Sequence, residues 1–324
     1  MSHYSLFLSK NHSMRTYIKL FRPLNLFIIA LTQYLVLFYL IRPVLRMNNY
    51  DILISHFDFA VFVISNVLLA AAGYAINDYY DVDMDAINKP EKNVLISKVP
   101  RKRAYNINIM LNVIACLLGI YCAIKVGNFK LGFLPIVIAL ALFYYSLKYK
   151  RQFLTGNIVV GLVIAYSILV VWLFQFFAIK SQPEVFVAAM NTFKIISAFV
   201  GGMAVFAFLI TVIREMVKDI EDIEGDKISG SDTVPVRLGI PKTKTILLWI
   251  SLFTMLLLAF AQYKLYHDFV TTAFYLFVLQ IMFVYFILKM RKANQKGDFH
   301  FLSTFLKIMM IAGLLATQML SINF

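Results

Sequence analysis

Residues 57–85 read FDFAVFVISNVLLAAAGYAINDYYDVDMD. A run of nearly unbroken apolar sequence, about 20 residues and so long enough to cross a bilayer core as a helix, passes directly into Asp78, Asp81, Asp83 and Asp85. The run is continuous rather than alternating, which excludes a barrel strand. Backbone in lipid must satisfy its own hydrogen bonds, so the run is a helix. An apolar span that ends in a burst of carboxylates decides the fold class and points to chemistry at one membrane face.

The same pattern extends outward along the chain. Of 324 residues, 61% are hydrophobic and 15% charged, against about 25% charged in a soluble domain. Spanning-length runs occur at roughly 23–42, 57–77, 104–125, 131–147, 157–179, 192–213, 245–263, 269–288 and 304–322. The expectation is an all-α, polytopic membrane protein: nine helices in one bundle, forming a single domain over residues 1–324. The first run is longer than a signal-peptide core and lacks a small-residue cleavage site, so it reads as a retained span. Nine spans put the N-terminus and the connections 2–3, 4–5, 6–7 and 8–9 on one side. That side holds about 24 of the 31 Lys and Arg residues; Arg42, Arg46, Lys125, Lys130, Lys180, Lys194 and Lys264 fall on the other. The asymmetry places the basic face in the cytoplasm, in a cell membrane. The +14 net charge is therefore an orientation signal, and nucleic-acid binding is excluded for want of a basic soluble surface. Cys116 and Cys122 share one apolar run and read as packing residues. The five histidines are scattered and form no metal set.

Acidic residues concentrate in two connections, which hold 12 of the 17. Asn77-Asp78-Tyr79-Tyr80-Asp81-Val82-Asp83-Met84-Asp85 closes the second span. Lys218-Asp219-Ile220-Glu221-Asp222-Ile223-Glu224-Gly225-Asp226 closes the sixth. Both place acids at i, i+3 and i+7, positions within about 60° of one another on a helix. The matching spacing suggests an internal duplication with Asp78 equivalent to Asp219. Stacked carboxylates near hydrocarbon need a positive partner. Hard oxygen donors suit Mg²⁺, which bridges a few carboxylates to substrate phosphates. The expected metal set is Asn77, Asp78, Asp81, Asp85, Asp219, Asp222 and Asp226. Lys89, Lys92, Lys98, Arg101, Lys102 and Arg103 follow the first cluster, Arg214 and Lys218 flank the second, Lys148 ends the fourth span and Arg22 precedes the first. Some of these cations should meet phosphate oxygens.

At these residues the chain resembles the UbiA superfamily of intramembrane prenyltransferases, which carries NDxxDxxxD after its second helix and DxxDxxxD after its sixth. Arg22-Pro23-Leu24-Asn25 resembles the family's opening of the first span. Tyr144-Tyr145-Ser146-Leu147-Lys148 with Gly156-Asn157 resembles its helix 4–5 segment. The run from Arg214 to Asp226, with Thr233-Val234-Pro235, is similar to the branch that geranylgeranylates geranylgeranylglyceryl phosphate in ether-lipid synthesis. Lys89-Pro90-Glu91-Lys92 departs from the Arg-Pro of many members.

The resemblance implies Mg²⁺-dependent transfer of a prenyl group, geranylgeranyl in this branch, from a prenyl diphosphate to a lipophilic acceptor. Asn77, Asp81, Asp85, Asp222 and Asp226 would be catalytic, with Mg²⁺ easing departure of diphosphate as a Lewis acid. Arg22, Asn25, Arg101, Tyr144, Tyr145, Lys148, Arg214 and Lys218 would bind substrate, the two tyrosines facing an allylic cation. Glu215 is the nearest candidate for the base. The remaining readings are prenylation of an aromatic quinone precursor or of haem, and a membrane transporter. Transporter acids should sit mid-span, and these spans are nearly acid-free. Membrane lipid is the surrounding partner, and no obligate protein partner is evident.

Overall fold

The computed structural model describes residues 20–47, 49–88, 100–267 and 269–321, with the side chains of residues 83–88, Thr317 and Leu320 outside the description. Among the described residues nine helices are long and apolar enough to cross a membrane, and no strand occurs. We number these helices by span: α1 Pro23–Arg46, α2 His56–Asn88, α3 Arg101–Lys125, α4 Leu134–Leu147, α5 Thr155–Lys180, α6 Met190–Glu221, α7 Ile240–Leu265, α8 Val270–Lys292 and α9 Lys296–Ser321. The all-α, nine-span expectation holds. The ends of α2 and α6 run well past the apolar runs of the sequence reading, α2 through its acidic motif and α6 into the first part of its own, as far as Glu221. An apolar run marks where lipid stops; polar residues beyond it remain helical wherever their backbone bonds are met.

Within α1, Val36–Ile41 is a π-helical turn. It lies just upstream of Pro43, which has no N–H and whose ring crowds the carbonyl four residues back, so the helix widens there. Val36, Leu37, Leu40 and Ile41 of this turn are fully buried.

The chain forms two compact units, residues 20–31 with 55–149 and residues 32–54 with 150–321. In the first, α2 packs on α3 and α4. A Cβ at Gly119 of α3 would overlap Pro135 of α4, so only glycine allows this approach. Two buried polar links tie α2 to α3: Ser65 Oγ donates to the Ala115 carbonyl at 2.7 Å, and Asn108 Nδ2 to the Ala72 carbonyl at 2.9 Å. Small-residue contact and interhelical hydrogen bonds are the forces left where lipid is as apolar as the side chains.

In the second unit α6 is central. It packs on α5, α7 and α9, and the π turn of α1 lies against α5, α6 and α9. A Cβ at Gly161 of α5 would stand 2.8 Å from Phe208 of α6, and one at Gly313 of α9 would overlap the Phe206 ring. Buried Phe283, Phe286, Leu306 and Met309 complete the core among α6, α8 and α9. Tyr275 of α8 donates to the Ala312 carbonyl of α9 at 2.8 Å.

Candidate functional site

In the first unit, α2 carries Asn77, Asp78 and Asp81 on its last described turns. Asp78 and Asp81 are buried, at 5% and 2% exposure. Asn77 Nδ2 donates to Asp81 Oδ2 at 2.6 Å, the one-turn contact that i, i+4 spacing allows. Arg22 Nη2 donates to Asp78 Oδ1 at 2.7 Å and its guanidinium lies over the Tyr74 ring, 4.9 Å from the centroid. Burial disfavours the Arg22 charge, but the Asp78 carboxylate, the Tyr74 hydroxyl and Asp81 outweigh it and hold the guanidinium above its ordinary value. Arg22 has φ of 50°, a left-handed conformation that costs an L-residue roughly 1–2 kcal/mol. Such strain concentrates at functional sites. Here it aims the side chain immediately before α1 at the motif 56 residues further on.

The other expected residues of this unit are placed less closely. Tyr79 and Tyr80, inside the motif, join Tyr105 and Phe143 in a chain of ring contacts. Tyr144 is exposed and packs its ring on Phe143 and Tyr149, Tyr145 and Asn25 are half-buried, and Lys148 and Arg101 are exposed. Asp83 and Asp85 lie outside the described side chains. Lys89, Glu91, Lys92 and Lys98 lie outside the described residues.

The second unit repeats the arrangement with different chemistry. Leu154, the residue before α5, has φ of 58°. Asn157, three residues on, donates from Nδ2 to Asp219 Oδ2 at 2.8 Å. Arg22 and Asn25 hold the corresponding places at the start of α1. In each unit, then, a strained helix start delivers a side chain to the first aspartate of a motif. The stripe expected from the spacing is bent here: α6 ends at Glu221, Asp222 is its C-cap, and a short helix resumes over Ile223–Ile228. Asp226, on that short helix, is buried and accepts from Thr233 Oγ1 at 3.0 Å. The Thr233 segment is itself pinned by Asp232 N–H on the Arg151 carbonyl at 2.8 Å.

Glu215 does not suit the role of base. Its Oε1 accepts from Arg214 Nη1 at 2.7 Å and its Oε2 from Lys218 Nζ at 2.9 Å. Both carboxylate oxygens are engaged by cations, which leaves neither placed to take a proton from an acceptor. Arg214 and Lys218 thus share one carboxylate beside the second motif.

Sequence reasoning misses four further residues. Asn157 and Thr233 are visible there only as points of resemblance, with no role attached. His300, one of the scattered histidines, places Nδ1 3.0 Å from Oε1 of buried Glu221. Lys307 is absorbed into the count of cytoplasmic cations, yet it lies inside the ninth span.

Among the described residues no three His, Cys, Asp or Glu side chains form a ready-made metal cage. The donor set itself, carboxylates of which Asp78, Asp81 and Asp226 are buried, with one amide, consists of hard oxygen ligands and fits Mg²⁺ rather than a soft metal.

Residues 49–311 match the model of the UbiA prenyltransferase family. A digeranylgeranylglyceryl phosphate synthase from Methanothermobacter thermautotrophicus is 32% identical over 232 residues, 70% of this chain and 68% of that protein. A solved structure of a digeranylgeranylglyceryl phosphate synthase in membranes shares the fold, with a TM-score of 0.64 at 24% identity over 97% of this chain and 100% of that one. A UbiA homolog from Archaeoglobus fulgidus, solved bound to GPP and Mg²⁺, shares it with a TM-score of 0.58 at 14% identity over 93% and 99%. Two acidic motifs at matching helix ends, a nine-span architecture and a family match over most of the length lead to one conclusion: this chain is a membrane-embedded enzyme of the UbiA prenyltransferase family.

Proposed function

We infer that the chain moves a geranylgeranyl group from geranylgeranyl diphosphate to the hydroxyl of geranylgeranylglyceryl phosphate. Residues 1–324 act as one catalytic domain, and transfer at the cytoplasmic face of a cell membrane needs both motifs. The bond between C1 of the prenyl chain and the diphosphate oxygen breaks, and its electron pair leaves with diphosphate. The acceptor oxygen bonds to C1, and the hydroxyl proton is released.

The observation that carries this reading is the paired arrangement of the motifs. Each first aspartate, Asp78 and Asp219, is oriented by a side chain from a strained helix start, Arg22 or Asn157. Duplicated and oriented carboxylates are costly in a membrane unless they hold a cation. Asn77, Asp78, Asp81 and Asp85 in one motif, with Asp219, Asp222 and Asp226 in the other, would hold Mg²⁺, which supplies positive charge to the departing diphosphate when bound. Asn77 and Asn157 keep Asp81 and Asp219 in one rotamer, as supporting ligands do around metals. Arg101, Lys102 and Arg103 occupy the first turn of α3, where the helix dipole already favours an anion; they suit the diphosphate. Apolar walls of the spans keep water from C1 until the acceptor attacks.

The relatives named digeranylgeranylglyceryl phosphate synthase support the choice of acceptor. The test incubates purified protein with labelled geranylgeranyl diphosphate, Mg²⁺ and a panel of geranylgeranylglyceryl phosphate, dihydroxynaphthoate and a haem. Label in the diether phosphate is expected; label in an aromatic acceptor alone would overturn the reading.

A further inference from the structure

Asp226 sits on a helix of six residues, Ile223–Ile228, beyond the break at Asp222. A helix that short is marginal by itself, so the direction of the Asp226 carboxylate is set by what is tied to it. The ties come from the segment that follows. Gly230, with φ of 69°, turns the chain back on itself. Ser231 N–H then donates to the Asp226 carbonyl at 2.9 Å, and Ser229 Oγ donates to the same carbonyl at 3.0 Å. Thr233 Oγ1 reaches the carboxylate itself, donating to Oδ2 at 3.0 Å from a buried position. The first two bonds fix the backbone of Asp226, and the third holds its side chain.

The returning strap, residues 231–238, is held in turn by the segment that leads into α5. Asp232 N–H donates to the Arg151 carbonyl at 2.8 Å. The Asp232 carboxylate takes two donors of Arg237: Nε donates to Oδ1 at 2.8 Å, and Nη2 donates to Oδ2. The Arg237 guanidinium lies over the Phe153 ring, 4.7 Å from its centroid. Arg237 is half exposed, and an exposed ion pair by itself adds little to stability. A bidentate, ring-stacked guanidinium instead fixes geometry, a use that lysine cannot serve. The same segment continues to Asn157, which donates to Asp219. Residues 151–157 therefore support both ends of the second motif, Asp219 directly and Asp226 through the strap.

We propose that Thr233 is a positioning residue for metal binding by the second motif, and that Arg237, stacked on Phe153, keeps the strap that carries Thr233 in place. Both act through Asp226. A carboxylate that turns freely gives up rotamer freedom when it binds a cation. A supporting hydrogen bond removes that loss beforehand, which is why partners behind a metal ligand matter to affinity. Thr233 thereby does for Asp226 what Asn157 does for Asp219. This rests on the reading of Asp226 as a Mg²⁺ ligand and extends it to residues outside the motif.

The test titrates the purified full chain, in neutral detergent, with Mn²⁺ as a paramagnetic stand-in for Mg²⁺. Electron paramagnetic resonance reads the free ion, and metal-free melting curves report folding. Thr233→Val keeps the shape of the side chain and removes the hydroxyl. The half-saturating Mn²⁺ concentration is expected to rise about tenfold or more, the range for supporting residues around metals. Thr233→Ser retains the hydroxyl and should bind Mn²⁺ within about threefold of the unmodified chain. Arg237→Met, at its exposed position, should move the curve in the same direction by a smaller factor, and Arg237→Lys should not restore it. A folded Thr233→Val protein with an unshifted curve overturns the proposal, and so does Thr233→Ser binding as weakly as Thr233→Val. Should Thr233→Val fail to fold, Arg237→Met decides, and an unshifted curve there overturns the proposal. Asp226→Asn separates the two readings. Its loss of Mn²⁺ beside normal binding in Thr233→Val overturns the positioning role alone. Full binding by Asp226→Asn, or no Mn²⁺ bound by the unmodified chain, overturns the metal reading of the motif and this proposal with it.

Discussion

Replacing Asn157 by Ala removes a side-chain donor to Asp219, a 2.8 Å bond from a residue that is itself 6% exposed. Water cannot readily replace it at that depth. A hydrogen bond to a charged group contributes about 1.5–3 kcal/mol. If that energy serves to hold Asp219 in its metal-binding rotamer, the half-saturating Mg²⁺ concentration rises by roughly tenfold to a hundredfold, the range seen for supporting residues around metals. Asn157→Asp should do worse, since it sets two carboxylates against each other inside the second unit. The assay is prenyl transfer at saturating donor and acceptor, titrated with Mg²⁺, with a melting curve to confirm that the α5–α6 pair stays folded. A folded Asn157→Ala protein with an unshifted Mg²⁺ curve would refute the orienting role and weaken the case that Asp219 holds metal.

Two other outcomes follow from local geometry. Gly313→Ala drives a methyl group into the Phe206 ring, which also rests edge-on against Phe283 at 6.3 Å; overpacking of this kind costs about 1–3 kcal/mol and should appear as a lower melting temperature with the Mg²⁺ dependence intact. Asp51 accepts from Arg42 and Arg46 between α1 and α2, and those bonds, Arg42 first, hold its carboxyl well below the ordinary carboxylate range. A depressed folded-state pKa adds stability above the unfolded value, about 3.9, that is lost as pH falls through the folded one. Asp51→Asn should therefore lower the melting temperature at pH 7, with the gap to the unmodified chain closing only in strong acid.

Much of the fold was legible because lipid imposes one rule on every span. Continuous apolar runs of sufficient length gave the place of each helix, though α2, α6 and α9 extend eight or more residues beyond their runs at one end, and acids at i, i+3 and i+7 marked where two spans leave the lipid. The misses share a physical cause: each depends on contacts between residues distant in sequence. Nothing local in Arg22 or Leu154 announces a left-handed backbone, since neither is Gly or Asn. Glu215 reads as a spare acid until Arg214 and Lys218 close on both its oxygens. His300 is an isolated histidine in sequence and a neighbour of Glu221 in space. Lys307 vanishes into a count by membrane side, because a topology rule asks which face a cation serves and not which helix it opposes. The bend at Asp222 was hidden because the helical spacing of the acids continues across it.

The central claim is that prenyl transfer needs both motifs. The most direct measurement is the turnover of labelled geranylgeranyl diphosphate in the separate variants Asp81→Ala and Asp222→Ala, each shown to be inserted and folded. Loss of Mg²⁺-dependent transfer in both is expected, with neither rescued by higher acceptor concentration. Substantial turnover retained in either one would contradict a reaction that needs both motifs.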